Sequence, residues 1–185
     1  MQGIESSAFF VNSRDQVMLF ERKASEISSS GYKSASQLPV YLHELLGDLS
    51  HSLKPRLPAH VWTTVFRQDL ARQVIINLYE PGQGITPHVD LINRYADGIV
   101  GVSLCGSASM TFEHIARPEE RYHVFLPSRS VYVLRGSARY DYSHGIEGRA
   151  LDLVNRGDGR IDTILRESRL SITFRWIKEG GDILD

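Results

Sequence analysis

The chain of 185 residues has one cysteine, Cys105. One thiol cannot close an intrachain disulfide, so the fold must rest on its core. Cys105 sits in the apolar run VGVSLCGS. That setting predicts a buried thiol rather than a nucleophile. No apolar stretch approaches the ~20 residues of a membrane span, so no membrane partner is expected. The N-terminus carries Glu5 and no sustained apolar segment, which argues against a secretory signal. An excess of one charge is also missing: 21 basic residues face 22 acidic ones, for a net charge of -1. Composition therefore lends no support to strong phosphate binding, although a locally basic cleft stays open. There is no internal repeat. The length suits one domain with a full core, taken as residues 1–185 with its working part at 73–176.

The clearest helix is LPVYLHELLGDLSHSL, Leu38 to Leu53. Pro39 suits a helix start. Leu38, Leu42, Leu45, Leu46, Leu49 and Leu53 recur at threes and fours and build one apolar stripe. Gly47 weakens the helix and Pro55 ends it. Its expected job is to cover one face of a sheet. Upstream, Gln16 to Phe20 is a short strand candidate, and a serine-rich polar stretch with Tyr32 follows as a loop. From Arg56 to Ala71 the pattern is irregular.

Strands dominate the rest. Gln73 to Tyr79, Ile99 to Gly106, Ala108 to His114, Tyr122 to Pro127, Ser130 to Gly136 and Arg169 to Trp176 are rich in β-branched and aromatic residues. They are short and lack helical patterns between them. That predicts an antiparallel sandwich or barrel rather than βαβ units. Loops are expected at Pro81 to Thr86, Asn93 to Gly98, Ala116 to Glu120 and Asn155 to Arg160.

The chemistry centres on NLYEPGQGITPHVD, Asn77 to Asp90. Alternate residues of a strand share a face, so His88 and Asp90 can point at one metal. Asn77 and Tyr79 likewise share a face opposite Ile76 and Leu78. One imidazole and one carboxylate do not complete a shell. By spacing, His114, His123 and His144 are all eligible as the third ligand. Two histidines and a carboxylate leave open positions on an octahedral metal for a bidentate co-substrate and dioxygen. A lone HxD can equally be a turn pair satisfying local hydrogen bonds. The last strand adds weight: Arg169, Ser171, Thr173 and Arg175 form one polar face, and Leu170, Ile172, Phe174 and Trp176 the apolar one. Such a face either meets solvent or lines a polar cavity. Its two arginines suit an anionic organic ligand.

NLYEPGQGITPHVD, LPSRSVYVLRGSARYDYSHGI and RLSITFR together resemble the AlkB family of Fe(II)/2-oxoglutarate dioxygenases. The likeness covers most of Asn77 to Arg175. It implies a mainly β fold with flanking helices, the double-stranded β-helix (a cupin-like jelly roll). It implies Fe(II) held by His88, Asp90 and His144, with O2 and 2-oxoglutarate as co-substrates. Arg169 would hold the distal carboxylate with Tyr79, Asn77 would approach the metal-side carboxylate, and Ser171 stands where many members have asparagine. Arg175 would face substrate or a nearby acid. The implied reaction is oxidative demethylation of N-alkylated bases in DNA or RNA, giving succinate, CO2 and formaldehyde. The alternatives are oxidation of a protein or small molecule, or a non-catalytic binding protein on the same scaffold. A monomer is expected, inside the cell, in the nucleus, cytoplasm or mitochondrion. Repair members carry a second acid two residues after the HxD aspartate; here that position is Ile92. A base-stacking, phosphate-holding cover would fall at Arg56 to Arg72, with Trp62, Phe66, Arg56, Arg67 and Arg72. Arg94, Tyr95, Arg135, Arg139 and Arg160 would line the rim.

Overall fold

The computed structural model describes residues 15–23, 38–67 and 69–181. Most of the serine-rich stretch, with Tyr32, lies outside these residues. Strands β1 (Gln16–Glu21), β2 (Arg72–Tyr79), β11 (Arg169–Trp176), β4 (Ile99–Cys105) and β7 (Ser130–Leu134) form a five-stranded sheet in that order. Strands β3 (Ile85–His88), β8 (Tyr142–Ile146), β5 (Ala108–His114) and β6 (Arg117–Leu126) form a four-stranded sheet facing it. All pairings in both are antiparallel. This is an antiparallel sandwich, as the pattern predicts, in the jelly-roll form with flanking helices that the family resemblance implies.

Alternation within the strands decides what each face of the larger sheet meets. Val74 and Ile76 of β2 and Leu170, Ile172, Phe174 and Trp176 of β11 are buried on one side. There they pack against helices α1 (Val40–Leu53) and α2 (Ala59–Val65) through Leu42, Leu46, Val61 and Val65. The leucine stripe of α1 therefore covers a sheet face, as its spacing predicts. A 3-10 turn, Lys54–Arg56, carries Pro55 and ends α1. The opposite face of the sheet points between the two sheets. Cys105 is half-buried, its thiol directed at the Ser168 carbonyl 3.9 Å away.

Several boundaries differ from the sequence pattern. Ser137–Tyr140 forms a short helix, α3, and His144 stands inside the strand after it, β8, which the pattern does not mark. Thr86 falls in β3, and β6 begins at Arg117, because the stretch read as a loop pairs with β5 in a hairpin. Irregular sequence after Arg56 hides α2.

Two further strands escape the pattern entirely. β9 (Leu151–Asn155) and β10 (Ile161–Leu165) make a separate two-stranded hairpin. Its alternation runs contrary to the usual order: Asp152 is fully buried while Leu151 and Leu153 are exposed. Arg166 meets Asp152 in a two-pronged contact, Nε to Oδ2 at 2.7 Å and Nη2 to Oδ1 at 2.9 Å. Arg149 Nη2 lies 2.8 Å from Oδ1, and the Ser109 N–H donates to Oδ2 at 3.0 Å. Burial pushes the Asp152 carboxyl up, but these donors outweigh it and hold it below the ordinary carboxylate range. Asp152→Ala leaves the Arg166 guanidinium buried without its anion. The expected destabilisation is about 3–5 kcal/mol, read by denaturant unfolding. The lowered folded pKa also sets a sign. This contribution is complete above the unfolded value of about 3.9 and is lost as pH falls through the folded value. The wild type should therefore lose stability more steeply than Asp152→Asn below about pH 4.

Candidate metal and co-substrate site

His88 ends β3 and lies opposite His144 of β8 in the strand register. Cross-strand pairing therefore brings the two imidazoles together, with ring centroids 4.5 Å apart. Gly145 permits this approach, because a Cβ there would lie 2.8 Å from the Pro87 backbone. Asp90 follows His88 by two residues, and its Oδ2 is 3.7 Å from His144 Nε2. One donor atom from each of His88, Asp90 and His144 falls within 4.8 Å of the other two, the arrangement of a metal-binding triad. His114 and His123 go elsewhere. His114 Nδ1 accepts from the Ala116 N–H at 3.1 Å, and His123 Nδ1 pairs with Thr111 Oγ1 at 3.0 Å.

The donor set fits a divalent cation. His88 Nδ1–H donates to the Thr86 carbonyl at 2.9 Å, which leaves Nε2 as the free lone pair. Burial lowers His144 to about 4, helped by His88, Arg175 and Arg139 and opposed by Asp90. Its imidazole is therefore neutral at pH 7, the form a metal needs. Asp90 Oδ1 is ion-paired with Arg175, whereas the buried Oδ2 has no hydrogen-bond partner. A buried acceptor without a donor is costly unless something satisfies it, and a cation between the imidazoles does so. The fully buried Arg139 guanidinium pins the chain beyond the carboxylate. Nη1 donates to the Asp90 carbonyl at 2.8 Å, and Nη2 donates to those of Leu91 and Tyr95 at 3.2 and 3.4 Å.

A cavity of about 370 Å³ extends from the triad between the sheets. The polar face of β11 lines it with Arg169, Ser171, Thr173 and Arg175, and β2 contributes Ile75, Asn77 and Tyr79. Register sets Arg169 opposite Tyr79 and Ser171 opposite Asn77. Of the two readings of that polar face, cavity wall and solvated surface, the structure shows the first. Arg169 is 4% exposed; its Nε donates to Ser103 Oγ at 3.2 Å and its Cζ lies 5.6 Å from the Tyr79 ring centre. Burial lowers its pKa, against Tyr132 and Tyr79. Among the described residues no carboxylate pairs with it, so the wall presents a cation suited to an anionic ligand. Burial raises the Tyr79 hydroxyl despite Arg169 and Ser171. Asn77 Oδ1 accepts from Gln16 Nε2 at 2.7 Å.

Sequence reasoning misses Tyr132, Ser103 and the β1 residues Gln16 and Met18. Tyr132 lies in the wall beside Arg169, and burial pushes its hydroxyl to about 12. Its one signal is Gly101, directly opposite: a Cβ there would come within 2.1 Å of the ring.

The expected substrate cover is a correction. Among the described residues from 56 to 72, none lines the cavity, because this segment packs on the helical side of the larger sheet. Trp62 Nε1–H donates to the Ser50 carbonyl at 2.9 Å, with Lys54 over its ring, and Phe66 is in the core. Arg67 pairs with Asp69, and Arg72 with Glu21. Of the expected rim residues, Tyr95 lines the cavity and Arg139 is buried behind Asp90. Arg160 pairs with Asp158 on the β9–β10 turn, Arg135 lies 3.9 Å from Asp97, and Arg94 stands over Phe20. Ile92 is exposed.

Comparison with known proteins gives the same outline. Residues 13–175 match the model of the 2OG-Fe(II) oxygenase superfamily. An uncharacterized protein, L905, of Acanthamoeba polyphaga mimivirus is 40% identical over 103 residues, which is 56% of this chain and 47% of that protein. The tRNA (carboxymethyluridine(34)-5-O)-methyltransferase alkbh8 of Xenopus tropicalis is 37% identical over 120 residues, 58% of this chain and 19% of that one. The mouse protein named alpha-ketoglutarate-dependent dioxygenase alkB homolog 7, mitochondrial, is 35% identical over 113 residues, 61% of this chain and 49% of that one. The matches thus span half or less of each relative's length. With its jelly roll, its metal-binding triad and a family match over nearly its whole length, this chain belongs to the 2OG-Fe(II) oxygenase superfamily.

Proposed function

We propose that this protein is an AlkB-like Fe(II)- and 2-oxoglutarate-dependent dioxygenase acting on a protein or small-molecule substrate. In this reading His88, Asp90 and His144 hold the iron. Arg169 and Tyr79 take the distal carboxylate of 2-oxoglutarate, and Asn77 and Ser171 stand at its metal-side end. Arg175 orients Asp90 by occupying Oδ1, which turns Oδ2 to the metal. The bound iron supplies the oxygen chemistry that couples 2-oxoglutarate decarboxylation to oxidation of a substrate C–H bond. The protein's part is placement of that bond and exclusion of others. The whole chain acts as one domain, in an intracellular compartment such as the mitochondrion named for the mouse relative.

The carrying observation is the chemistry of the described cavity mouth. Met18 and Leu91, each more than half exposed, belong to the cavity lining, and Ile92 follows Leu91 into solvent. Of the arginines expected to hold phosphates or line the rim, Arg67, Arg72 and Arg160 are paired with acids away from the cavity. An apolar mouth suits an uncharged side chain or small molecule better than a polynucleotide. Demethylation of a nucleic-acid base is the second reading, favoured by the similarity to the frog protein named for a transfer RNA.

Succinate and formaldehyde followed separately across methylated DNA, methylated RNA, peptides and small molecules test the choice. The expected result is succinate formation stimulated by a peptide or small molecule and not by oligonucleotides. Formaldehyde released from a methylated oligonucleotide with equal or greater stimulation would reverse it.

A further inference from the structure

Gln73 is a buried amide to which the proposed chemistry gives no part. It is 3% exposed and begins the alternation of β2 that continues inward through Ile75, Asn77 and Tyr79. A buried amide is costly unless its polar atoms find partners. Gln73 Oε1 accepts from Arg175 Nη1 at 3.1 Å, and Nε2 faces the Met18 sulfur, a weak acceptor, at 3.9 Å. Register sets the first contact, because Gln73 lies directly opposite Arg175 across β2 and β11. Among the described residues the Arg175 guanidinium has two side-chain acceptors: Nη2 pairs with Asp90 Oδ1 and Nη1 with Gln73. Its Nε has no hydrogen-bond partner. The Tyr95 ring centre lies 5.1 Å from Cζ and supports one face of the guanidinium plane. Tyr95 is itself buried, and its carbonyl accepts from Arg139.

We propose that Gln73 is a positioning residue for the metal ligand Asp90, acting through Arg175. A carboxylate turns readily about its last torsion, so Asp90 alone does not fix which oxygen faces a cation. Arginine fixes it only if its own long side chain is held, and ordering that chain costs entropy. Gln73 holds one arm of the guanidinium, and the rigid fork then directs the other arm at Oδ1. Oδ2, the buried oxygen without a hydrogen-bond partner, is left toward His144. An amide suits this task better than a carboxylate. It is neutral, so it seats Arg175 without drawing the positive charge away from Asp90. The inference rests on the reading of His88, Asp90 and His144 as metal ligands.

Calorimetric titration of the full chain with Co(II) alone is the test, since Co(II) takes the same nitrogen and oxygen donors as Fe(II). Gln73→Met keeps the length of the side chain and removes the acceptor. It should raise the Co(II) dissociation constant about 10-fold, as loss of a group that supports a metal ligand does. Arg175→Met should raise it at least as much. The double variant should match Arg175→Met, because without the guanidinium Gln73 has nothing to hold. If Gln73 only filled space, the two losses would add. Gln73→Asn stays polar but withdraws the oxygen by about 1.5 Å, one bond length of chain, and should lose affinity as Gln73→Met does. Far-UV circular dichroism checks each fold, and the cycle is read on whichever Gln73 variant is folded. An unchanged dissociation constant in a folded Gln73 variant overturns the proposal, and so do additive losses. A wild type that binds no Co(II) overturns the metal reading itself and the proposal with it.

Discussion

Asp90→Ala is expected to abolish turnover and to weaken Fe(II) binding by well over ~100-fold. Removing groups that only support a metal ligand already costs about 10- to 100-fold in affinity. Asp90 is more than a support. Its Oδ2 is a buried oxygen without a hydrogen-bond partner, beside His144 Nε2 and in one cluster with His88. Losing it leaves two imidazoles, too few donors to hold Fe(II) against water. The same change leaves Arg175, which pairs with Asp90 Oδ1, without its anion. A modest fall in melting temperature should therefore accompany the loss of metal. Asp90→Asn separates the two effects. It keeps the shape but removes the charge, so iron affinity should fall strongly while packing is largely kept. Calorimetric titration with Fe(II) under nitrogen reads both variants.

Arg169→Ala is expected to raise the 2-oxoglutarate dissociation constant about 100-fold or more with Fe(II) binding little changed. A buried charge-assisted pair contributes about 2–5 kcal/mol when one partner is truncated. Arg169 is buried and has no carboxylate partner among the described residues, so its charge is free for a ligand. Arg169→Lys should recover only part of the affinity, because an ammonium cannot reproduce the two-pronged contact with a carboxylate. It would also break the bond from Nε to Ser103 Oγ. Equal loss of iron and co-substrate affinity in Arg169→Ala would mean that the strand itself had collapsed. The apolar face of β11 makes that outcome unexpected, since Leu170, Ile172 and Phe174 keep their place against the helices.

The parts of the fold that follow from period and composition are legible in the sequence. The leucine stripe of α1 and the alternation of β11 each state which side is apolar, and packing agrees with both. The β9–β10 hairpin is illegible for a physical reason. Its strands alternate, but the inner side carries the buried Asp152 ion pair beside Val154 while leucines face outward, so aliphatic spacing alone does not tell the two faces apart. The metal cluster was half legible. His88 and Asp90 are local, two residues apart on an extended chain. Their partner depends on which strand lies beside β3, and spacing alone does not separate His144 from His114 or His123. Tyr132 reaches the cavity, and Ser103 the Arg169 side chain, through cross-strand register for the same reason. Composition misled most at Arg56 to Arg72, where aromatic and basic residues suggest a substrate cover. A helix's content does not say which side of a sheet it packs on, and this one lies opposite the cavity.

The central claim is that one cavity holds iron and 2-oxoglutarate together. Anaerobic addition of Fe(II) and then 2-oxoglutarate to the purified chain tests it directly, by visible absorption. A metal-to-ligand charge-transfer band should appear only when both are present. It should be missing in Asp90→Ala and should require far more 2-oxoglutarate in Arg169→Ala. No band from the wild-type chain at saturating Fe(II) and 2-oxoglutarate would contradict the account.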